Sequence, residues 1–451
     1  MSTVVEGAHV PGGHTSPALA WARGAERVPA YVYAFVAAVV LQFMSGSTRL
    51  YGIPFPPDRL ALLVAIGLLV IHPDLWRSRW RLCGIHLACF LACVGVLGSI
   101  VWFSGFTDTE GVFRLVDTFG IVPFLLFATA PLIFGTPQRR FVLLFGLALL
   151  GLYLGWTSVA EGLHLRALVW PGGIYDPNDP HFPRAIGPSR QVANNGLQLL
   201  GCAAAAAGVF LTRRGMARWV AVLSLVLCLA GAFFTLTRSI WLAALVAILV
   251  VAVLDKGMRG RIVAACVVGG GVLLLVVFSV PAVYAQVFER IGTSRSVYDR
   301  LNVNEAAIRA VLAHPLEGIG YNRFQLVSRD WVWQAPDYPI TSIDIAVHNV
   351  FLGHAVELGI PLAMLWVVVL LWAVSLAIRG VRGAPGQADG GVDALDRSDI
   401  RAVGTAAAAY VVAWIVVANF IPIGYALPTT LLWLFLGLCV HPRDSGFDPV
   451  R

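Results

Sequence analysis

Charge is scarce in this sequence, and lysine is almost missing. Of its 451 residues only 13% are charged and 58% are hydrophobic, whereas a soluble domain carries about 25% charge. This low charge content, together with repeated apolar runs of about 20 residues, predicts a polytopic helical membrane protein. Lys256 is the single lysine, so the net charge of +7 is carried by arginine.

The basic residues also lack the arrangement that nucleic-acid binding requires. They form clusters between apolar runs and no stripe with interleaved aromatic residues. Basic clusters at the ends of hydrophobic spans are typical of cytoplasmic loops. The pattern therefore argues against a nucleic-acid partner and predicts membrane lipids as the surroundings of the chain.

Signatures of disulfide-bonded, metal-dependent and several hydrolytic proteins are missing as well. All seven cysteines lie in or at the ends of apolar runs, and no C-x-x-C spacing occurs. No H-E-x-x-H, G-x-S-x-G or Walker sequence is present. No acidic D-x-D cluster lies near an outer membrane edge. We therefore expect neither a metal ion nor a cofactor.

Twelve apolar stretches have the length and hydropathy of membrane spans. They lie near residues 31–44, 59–73, 82–104, 113–135, 141–160, 192–212, 219–236, 239–254, 262–284, 348–378, 402–420 and 426–440. A basic cluster follows every even-numbered span, which predicts that those loops and both termini are cytoplasmic. The expected fold is therefore all-α, with one transmembrane bundle over 31–440 between cytoplasmic tails at 1–30 and 441–451. The first thirty residues carry no apolar signal-peptide core.

Two long polar stretches are predicted to lie on the periplasmic side. The first, 161–191, is dense in Pro, Gly, Asn and Asp and predicts a turn-rich lid. The second, 285–347, is larger and contains a predicted helix from Arg300 to Ala313. The apolar face of this helix is expected to consist of Leu301, Ile308, Val311 and Leu312. The stretch 379–401, rich in Gly, Ala and Asp, is predicted to be a flexible cytoplasmic linker.

Arginines near the outer membrane edge are the first candidates for chemistry. Arg238 lies between two apolar runs that are too close together to leave a loop, and Arg300 opens the predicted loop helix. Arg184 and Arg190 lie in the first outer loop. Ionisable residues at membrane depth are often functional, and converging guanidinium groups suit a polyanion such as a phosphate. Alternatively, Arg238 could extend to the headgroup level and Arg300 could be an ordinary exposed arginine.

His348 and Asn349 begin the tenth span. Asn349 could cap the helix with His348 as its polar neighbour. Alternatively, His348 could act as a general base at the membrane surface, because imidazole titrates near neutral pH. Trp331 and Trp333 suit either a membrane-interface anchor or a surface on which sugars stack. The local sequence leaves both pairs of alternatives open.

Four of these stretches resemble motifs of the O-antigen ligase and O-antigen polymerase superfamily. Arg300 followed by AVLAHPLEGIGYNRF resembles its arginine helix and HPL-x-G-x-G block. His348-Asn349, separated from Gly359 by nine residues, resembles its His-Asn/Ser/Gln-x9-Gly signature. FTLTRSIWLA resembles the (S/T)R motif at a helix start, and RAIGPSRQVANN resembles the Arg-x-x-Gly block before an Asn. The motifs occur in the family's order, although Asn194-Asn195 replaces the usual Pro-Asn.

The resemblance implies a GT-C-like fold with about twelve spans and short helices in the periplasmic loop. It implies a bacterial inner-membrane glycosyltransferase whose site faces the periplasm and whose donor is a glycan on undecaprenyl pyrophosphate. The acceptor would be lipid A–core for a ligase of lipopolysaccharide biosynthesis. It would be a lipid-linked glycan for a polymerase of O-antigen or exopolysaccharide biosynthesis.

The resemblance also assigns roles to residues. Arg238 and Arg300 match arginines that hold the lipid pyrophosphate, and His348 matches the histidine that activates the acceptor hydroxyl. Arg184 or Arg190 matches the first-loop arginine. Asn349, Trp331 and Trp333 are further candidates for substrate binding, and no metal is needed if arginines supply the electrostatics.

A secondary transporter is the alternative from another functional class. Twelve spans with both termini inside also suit such a protein. A transporter would place ionisable groups in the middle of its spans, whereas the candidates here lie at the outer edge, and no internal repeat is evident.

Overall fold

The computed structural model describes most of the chain as packed helices. The residues it describes are 27–45, 47–48, 52–53, 55–73, 76, 79–80, 82–179, 181–292, 295–333, 346–383, 394–440 and 447–448. The expectations for most of the two tails, for residues 384–393 of the predicted linker and for the end of the large loop lie outside the described residues.

Helices occupy each of the twelve stretches that were predicted to span the membrane. The helices are α1 Ala30–Leu41, α2 Pro57–Ile71, α3 Gly84–Ser104, α4 Thr109–Arg114, α5 Ile121–Ile133, α6 Pro137–Gly162, α7 Val192–Thr212, α8 Met216–Phe234, α9 Arg238–Leu254, α10 Arg259–Ser279, α11 Pro281–Gly292, α12 Arg295–Ala313, α13 Phe324–Val327, α14 Val350–Gly383, α15 Ala394–Ala418 and α16 Ala426–Cys439. Within the described part of the chain, eight helical segments are long and apolar enough to cross a membrane, and α1, α9 and α16 are shorter apolar helices. The prediction of a polytopic helical membrane protein is confirmed.

Helix α16 lies at the centre of the bundle, and all of its residues from Leu427 to Cys439 are buried. It packs against α5 and α15, while α7 packs against α6, α8 and α15. Trp366 of α14, Trp414 of α15 and Trp433 of α16 are among the largest fully buried side chains. Helix α10 is the opposite case, because only 6% of its most apolar stretch is buried. A two-residue antiparallel pair joins β1 (Arg79–Trp80) to β2 (Phe447–Asp448).

The helix predicted within the 285–347 stretch differs from its prediction in its first residue and in its buried face. Helix α12 begins at Arg295 instead of Arg300 and ends at Ala313 as expected. Its fully buried apolar residues are Val303, Ala306, Ala307 and Ala310, whereas Leu301, Ile308 and Leu312 are exposed. The predicted apolar face was therefore wrong. Small alanine side chains let α12 approach α14 closely, so the larger apolar residues face away from that contact.

Helix α14 is interrupted at Gly359, where φ is +76°, so that it consists of two parts, 350–358 and 360–383. A Cβ on Gly359 would collide with the carbonyl oxygen of Leu316, and a Cβ on Gly318 would lie 2.5 Å from the amide nitrogen of Gly359. The amide of Ile360 donates to the carbonyl of Pro315 at 2.8 Å. Only glycine accommodates both this φ and this close approach. The contact fixes the start of α14 relative to the end of α12.

Candidate active site at the turn between α8 and α9

The turn between α8 and α9 holds two arginines from different parts of the chain. The last carbonyl groups of a helix have no partner within it and attract cations. Nε of Arg184 donates to the carbonyl of Thr235 at 3.1 Å. Nε of Arg290, near the end of α11, donates to the carbonyl of Leu236 at 3.2 Å. One turn thus brings the 161–191 loop and α11 together.

Two further arginines complete a group at this turn. Arg238 is the first residue of α9, and its guanidinium donates to the carbonyl of Arg290. Arg300 of α12 lies close enough for the charges of Arg290 and Arg238 to act on it, and its own charge acts on Arg184. We refer to Arg184, Arg238, Arg290 and Arg300 as the arginine cluster.

The arginine cluster is electrostatically unfavourable on its own. Burial, reinforced by the charges of Arg290 and Arg300, lowers the pKa of Arg184 to about 10. Burial and neighbouring arginines also lower the pKa of Arg290 and the pKa of Arg300. The buried Nε of Arg300 has no hydrogen-bond partner within the described chain. A bound anion would relieve the repulsion and accept these hydrogen bonds.

The start of α9 contributes a helix N-terminus to the same place. Thr237 occupies the N-cap position, where a threonine hydroxyl commonly accepts an amide of the first turn, but it makes no such bond. Instead its Oγ1 accepts from Arg184 at 2.8 Å and donates to the carbonyl of Thr235 at 3.0 Å. The buried Oγ of Ser239, in the first turn, has no hydrogen-bond partner among the described residues. The positive end of the helix dipole is therefore available to an anion.

Arg184 is positioned by a buried clamp. The amide of Gly187 donates to Oε2 of Glu161 at 2.9 Å, and Nδ2 of Asn195 donates to the carbonyl of Ala185 at 3.2 Å. Gly187 has a φ of +59°, and a Cβ there would collide with the Asn195 side chain. The loop that carries Arg184 is thereby tied to the end of α6 and the start of α7. Asn195 makes this hydrogen bond although Asn194, and not the proline usual in the motif, precedes it.

Arg190, the other first-loop candidate, is engaged elsewhere. Its guanidinium lies 3.1 Å from Oδ2 of Asp179 and 3.6 Å from Oδ2 of Asp176. Two carboxylates therefore balance its charge. The structure brings Arg184 to the cluster and places Arg190 in an ion-pair group of the lid.

His348 lies beside Arg300, just before α14. Its Nδ1 is 2.9 Å from the carbonyl oxygen of Ala346. A carbonyl can only accept, so Nδ1 carries the proton and Nε2 of the neutral ring keeps its lone pair. Burial, together with the positive charge of Arg300, lowers the pKa of His348 below its usual 6.5. The neutral, proton-accepting ring therefore predominates at neutral pH.

Asn349 caps α14, as one of the two alternatives predicted. Its Oδ1 accepts from the amide of Leu352 at 3.0 Å, and its carbonyl accepts from the amide of Gly353 at 2.8 Å. These bonds satisfy first-turn amides without involving the ring of His348. The cap and the proton acceptor are thus separate features of neighbouring residues.

Trp331 and Trp333 lie toward the other end of α12. The guanidinium of Arg309 is 4.7 Å from the ring centre of Trp333, and its Nε donates to the carbonyl of Trp331 at 3.0 Å. Arg309 follows Arg300 by nine residues, or about 13 Å along a helix. The structure therefore does not bring these tryptophans to the arginine cluster, and Trp333 as a whole residue is 63% exposed.

Sequence reasoning missed Arg290 and Glu161. Both are ionisable residues next to apolar stretches. Glu161 could have been found from the sequence, because an acidic residue directly after the fifth apolar span is a candidate functional residue. Arg290 lies in an outer stretch already suspected to matter, but no motif distinguished it from other loop arginines.

Comparison with known proteins agrees with the resemblance noted in the sequence. A model of the O-antigen ligase family matches residues 199–367. The matched stretch contains three residues of the arginine cluster and His348, whereas Arg184 precedes it. No curated protein matches the chain.

Proposed function

We propose that the protein is an inner-membrane glycosyltransferase, because a model of the O-antigen ligase family matches residues 199–367. It transfers a glycan from undecaprenyl pyrophosphate to an acceptor hydroxyl on the periplasmic side. The observation that carries the proposal is the arginine cluster next to a buried, neutral histidine. The acceptor is lipid A–core in a ligase; the same site would serve a polymerase that extends a lipid-linked O-antigen or exopolysaccharide.

In this proposal the fold is GT-C-like, all twelve helical stretches span the membrane, and both termini are cytoplasmic. The basic clusters after the even-numbered spans support this orientation. Tags inserted near 139 and 214 should report cytoplasm, and a tag near 170 should report periplasm. A periplasmic report from 214 would contradict the orientation.

The arginine cluster binds the pyrophosphate of the donor. Its guanidinium groups and the start of α9 are in place before the reaction, so they stabilise the negative charge that develops on the leaving pyrophosphate. The lowered pKa values of Arg184, Arg290 and Arg300 support this role, because an anion relieves the mutual repulsion that contributes to lowering them.

His348 acts as the general base. Its Nε2 takes the proton from the acceptor hydroxyl as the acceptor oxygen attacks the anomeric carbon. The bond between that carbon and the pyrophosphate oxygen breaks, and the arginine cluster retains the lipid pyrophosphate. The proton leaves the imidazole for solvent after transfer. Trp333 offers its exposed ring to a more distant sugar unit of the glycan.

Transfer by the purified, full-length protein in vesicles tests the proposal. The donor is an undecaprenyl-pyrophosphate-linked glycan, and the acceptors, supplied separately, are lipid A–core and a second lipid-linked glycan. A product on one acceptor alone distinguishes ligase from polymerase. Arg300→Ala and Arg238→Ala should abolish most transfer. Arg259→Ala is the control, because Arg259 is exposed at the start of α10 and donates to the carbonyl of Ala252. Full transfer by both cluster variants would overturn the proposal.

A further inference from the structure

His164 lies just after α6 and contacts two segments that each carry an arginine of the cluster. Its Nε2 is 2.8 Å from Nε2 of Gln286 in α11. The centre of its ring is 5.1 Å from the ring centre of Phe182, which belongs to the same loop as His164. Gln286 precedes Arg290 by four residues, and Phe182 precedes Arg184 by two. His164 thus links the segments that hold these two arginines, and the proposed function gives it no role.

Both nitrogens of the His164 ring make polar contacts. The amide nitrogen of Gln286 can only donate, so Nε2 of the ring accepts from it and Nδ1 carries the ring proton. This Nδ1 lies 3.3 Å from the hydroxyl oxygen of Tyr175, which can accept the proton. In this tautomer the ring is uncharged, so it joins two segments that carry arginines without adding to their repulsion.

The backbone of His164 is in an unfavourable conformation. Its φ is +58°, in the left-handed region that residues other than glycine rarely occupy. Such conformations are costly and are found mainly at active sites and at segments that hold a ligand. Asparagine, like histidine, is tolerated in this region. A change to asparagine can therefore remove the ring and keep the backbone.

Helix α11 depends on few contacts for its position. Of its side chains that the structure describes, only those of Val283 and Val287 are buried, and they pack against apolar residues of the 161–191 loop and of the turn between α8 and α9. Gln286 and Arg290 lie one helical turn apart on the same side. Gln286 contacts the loop, and Arg290 contacts the turn. Loss of the Gln286 contact would therefore free α11 from one of its two polar attachments.

The two arginines that these segments carry repel each other. The charge of Arg290 acts on Arg184, and like charges held close together drive their segments apart unless other contacts oppose them. We propose that His164 is a positioning residue that ties α11 to the 161–191 loop and holds Arg184 and Arg290 at the separation that the donor pyrophosphate requires. This inference rests on the proposed function, since it assigns these arginines to the donor. His164 acts through Gln286 and does not itself bind the pyrophosphate.

Binding of undecaprenyl pyrophosphate to the full-length protein in lipid nanodiscs tests this role. His164→Asn removes the ring, and Gln286→Ala removes its partner. Each variant should weaken binding of the lipid about 3- to 10-fold, because the lost hydrogen bond is what opposes the separation of the two arginines. The double variant should be about as weak as the weaker single variant, because both changes remove the same contact. Additive weakening in the double variant would overturn the proposal.

Transfer kinetics separate positioning from a general loss of structure. In His164→Asn the KM for the donor should rise while turnover at saturating donor is retained, because the bound pyrophosphate itself then draws the arginines together. The matched control is Leu165→Ala, since Leu165 is the next residue and is 45% exposed. It should keep the wild-type KM. Loss of turnover in His164→Asn with an unchanged KM, or an equal rise of KM in the control, would contradict the positioning role.

Hydrogen exchange of the backbone amides of α11 provides a measurement that needs no donor. In His164→Asn and in Gln286→Ala, the amides of Pro281–Gly292 should exchange faster than in the wild type, because the helix separates from the loop more often. The amides of α7 should exchange at the wild-type rate. Unchanged exchange of α11 in both variants would overturn the inference. Failure of the proposed function is distinguishable, because it would appear as absence of lipid binding in the wild type.

Discussion

The arginines near the two ends of α6 have opposite electrostatic surroundings. At its start, Nε of Arg140 lies 2.6 Å from Oδ2 of Asp399, and both side chains are 7% exposed. Beyond its other end, Arg184 donates to a carbonyl and a hydroxyl and lies near Arg290 and Arg300. The helix has 26 residues and is about 39 Å long, so the two arginines lie at opposite ends of it.

The difference lies in the charge beside each arginine, which is a carboxylate at one end of α6 and other arginines at the other. A buried ion pair has already neutralised its charge, and breaking it leaves an uncompensated buried ion. Like charges held together lower the stability of the fold until an anion joins them. We therefore expect variants at the Arg140 end to lose stability and keep turnover, and variants at the arginine cluster to lose turnover and keep stability.

The largest effect is expected at His348. His348→Ala should lower turnover by roughly 10²–10⁴-fold and leave donor-lipid binding and melting temperature nearly unchanged, because the general base is lost and no cap bond is broken. The matched control is Asn349→Ala, which removes the helix cap and should cost about 1 kcal/mol of stability. Parallel losses of turnover and melting temperature in both variants would contradict a catalytic role for His348.

The pH dependence of transfer sharpens the same point. Burial and the charge of Arg300 lower the pKa of His348 from 6.5, and only the neutral ring accepts a proton. The transfer rate should therefore rise with pH along an acid limb whose midpoint lies below pH 6.5. It should then stay level through neutral pH. An acid limb centred above pH 6.5 would show that another group controls the reaction.

Arg300 tests the cluster directly. Arg300→Ala should lower turnover by roughly 10²–10³-fold, as expected when one preorganised stabiliser of developing charge is lost. Its melting temperature should stay unchanged or rise, because one like charge is removed. Arg300→Lys should recover little activity, since an ammonium lacks the two-pronged geometry of a guanidinium. A strong loss of melting temperature in Arg300→Ala would mean that Arg300 is structural.

The other end of α6 should respond in the reverse sense. Asp399→Ala leaves Arg140 buried without its partner and should cost roughly 3–5 kcal/mol of unfolding free energy. Turnover per folded molecule should remain at the wild-type value. Denaturation in detergent measures the stability, and transfer in vesicles measures the turnover. A loss of turnover without a loss of stability would contradict a purely structural role for the Arg140–Asp399 pair.

The smallest effect is expected at Arg190. Its ion pairs with Asp176 and Asp179 are partly exposed, and such pairs contribute about 0.2–1 kcal/mol. Arg190→Gln should therefore change melting only slightly and keep transfer, whereas Arg184→Gln should weaken donor binding. Equal losses of donor binding in the two variants would mean that Arg190 also binds the donor.

Sequence patterns predicted the features that depend on local properties. Apolar runs located the helices, because hydropathy and length suffice for that. The order of short motifs located Arg238, Arg300 and His348, all of which lie in the segment matched by the family. The break at Gly359 also agrees with its motif position, since its φ and its contact with Leu316 both demand glycine.

Features that depend on tertiary contacts were beyond local patterns. Spacing could not separate Arg184 from Arg190, because the distinction depends on where Asp176 and Asp179 fold back. The buried face of α12 was mispredicted because alanines, weak in any hydropathy pattern, make its contact with α14. Arg290 lies at the site because it donates to the carbonyl of Leu236 in a turn that is distant in sequence. A pattern of side chains does not predict such a contact with the backbone.

The exposure of α10 makes the geometry of the arginine cluster depend on the thickness of the bilayer. This helix has 21 residues, or about 31 Å, and little of its surface is buried by the bundle, so we expect it to contact mainly lipid in a membrane. Hydrophobic mismatch tilts or shifts such a helix. Helix α11 follows directly at Pro281 and carries Arg290, so we expect a change in lipid chain length to shift the height of one arginine of the cluster.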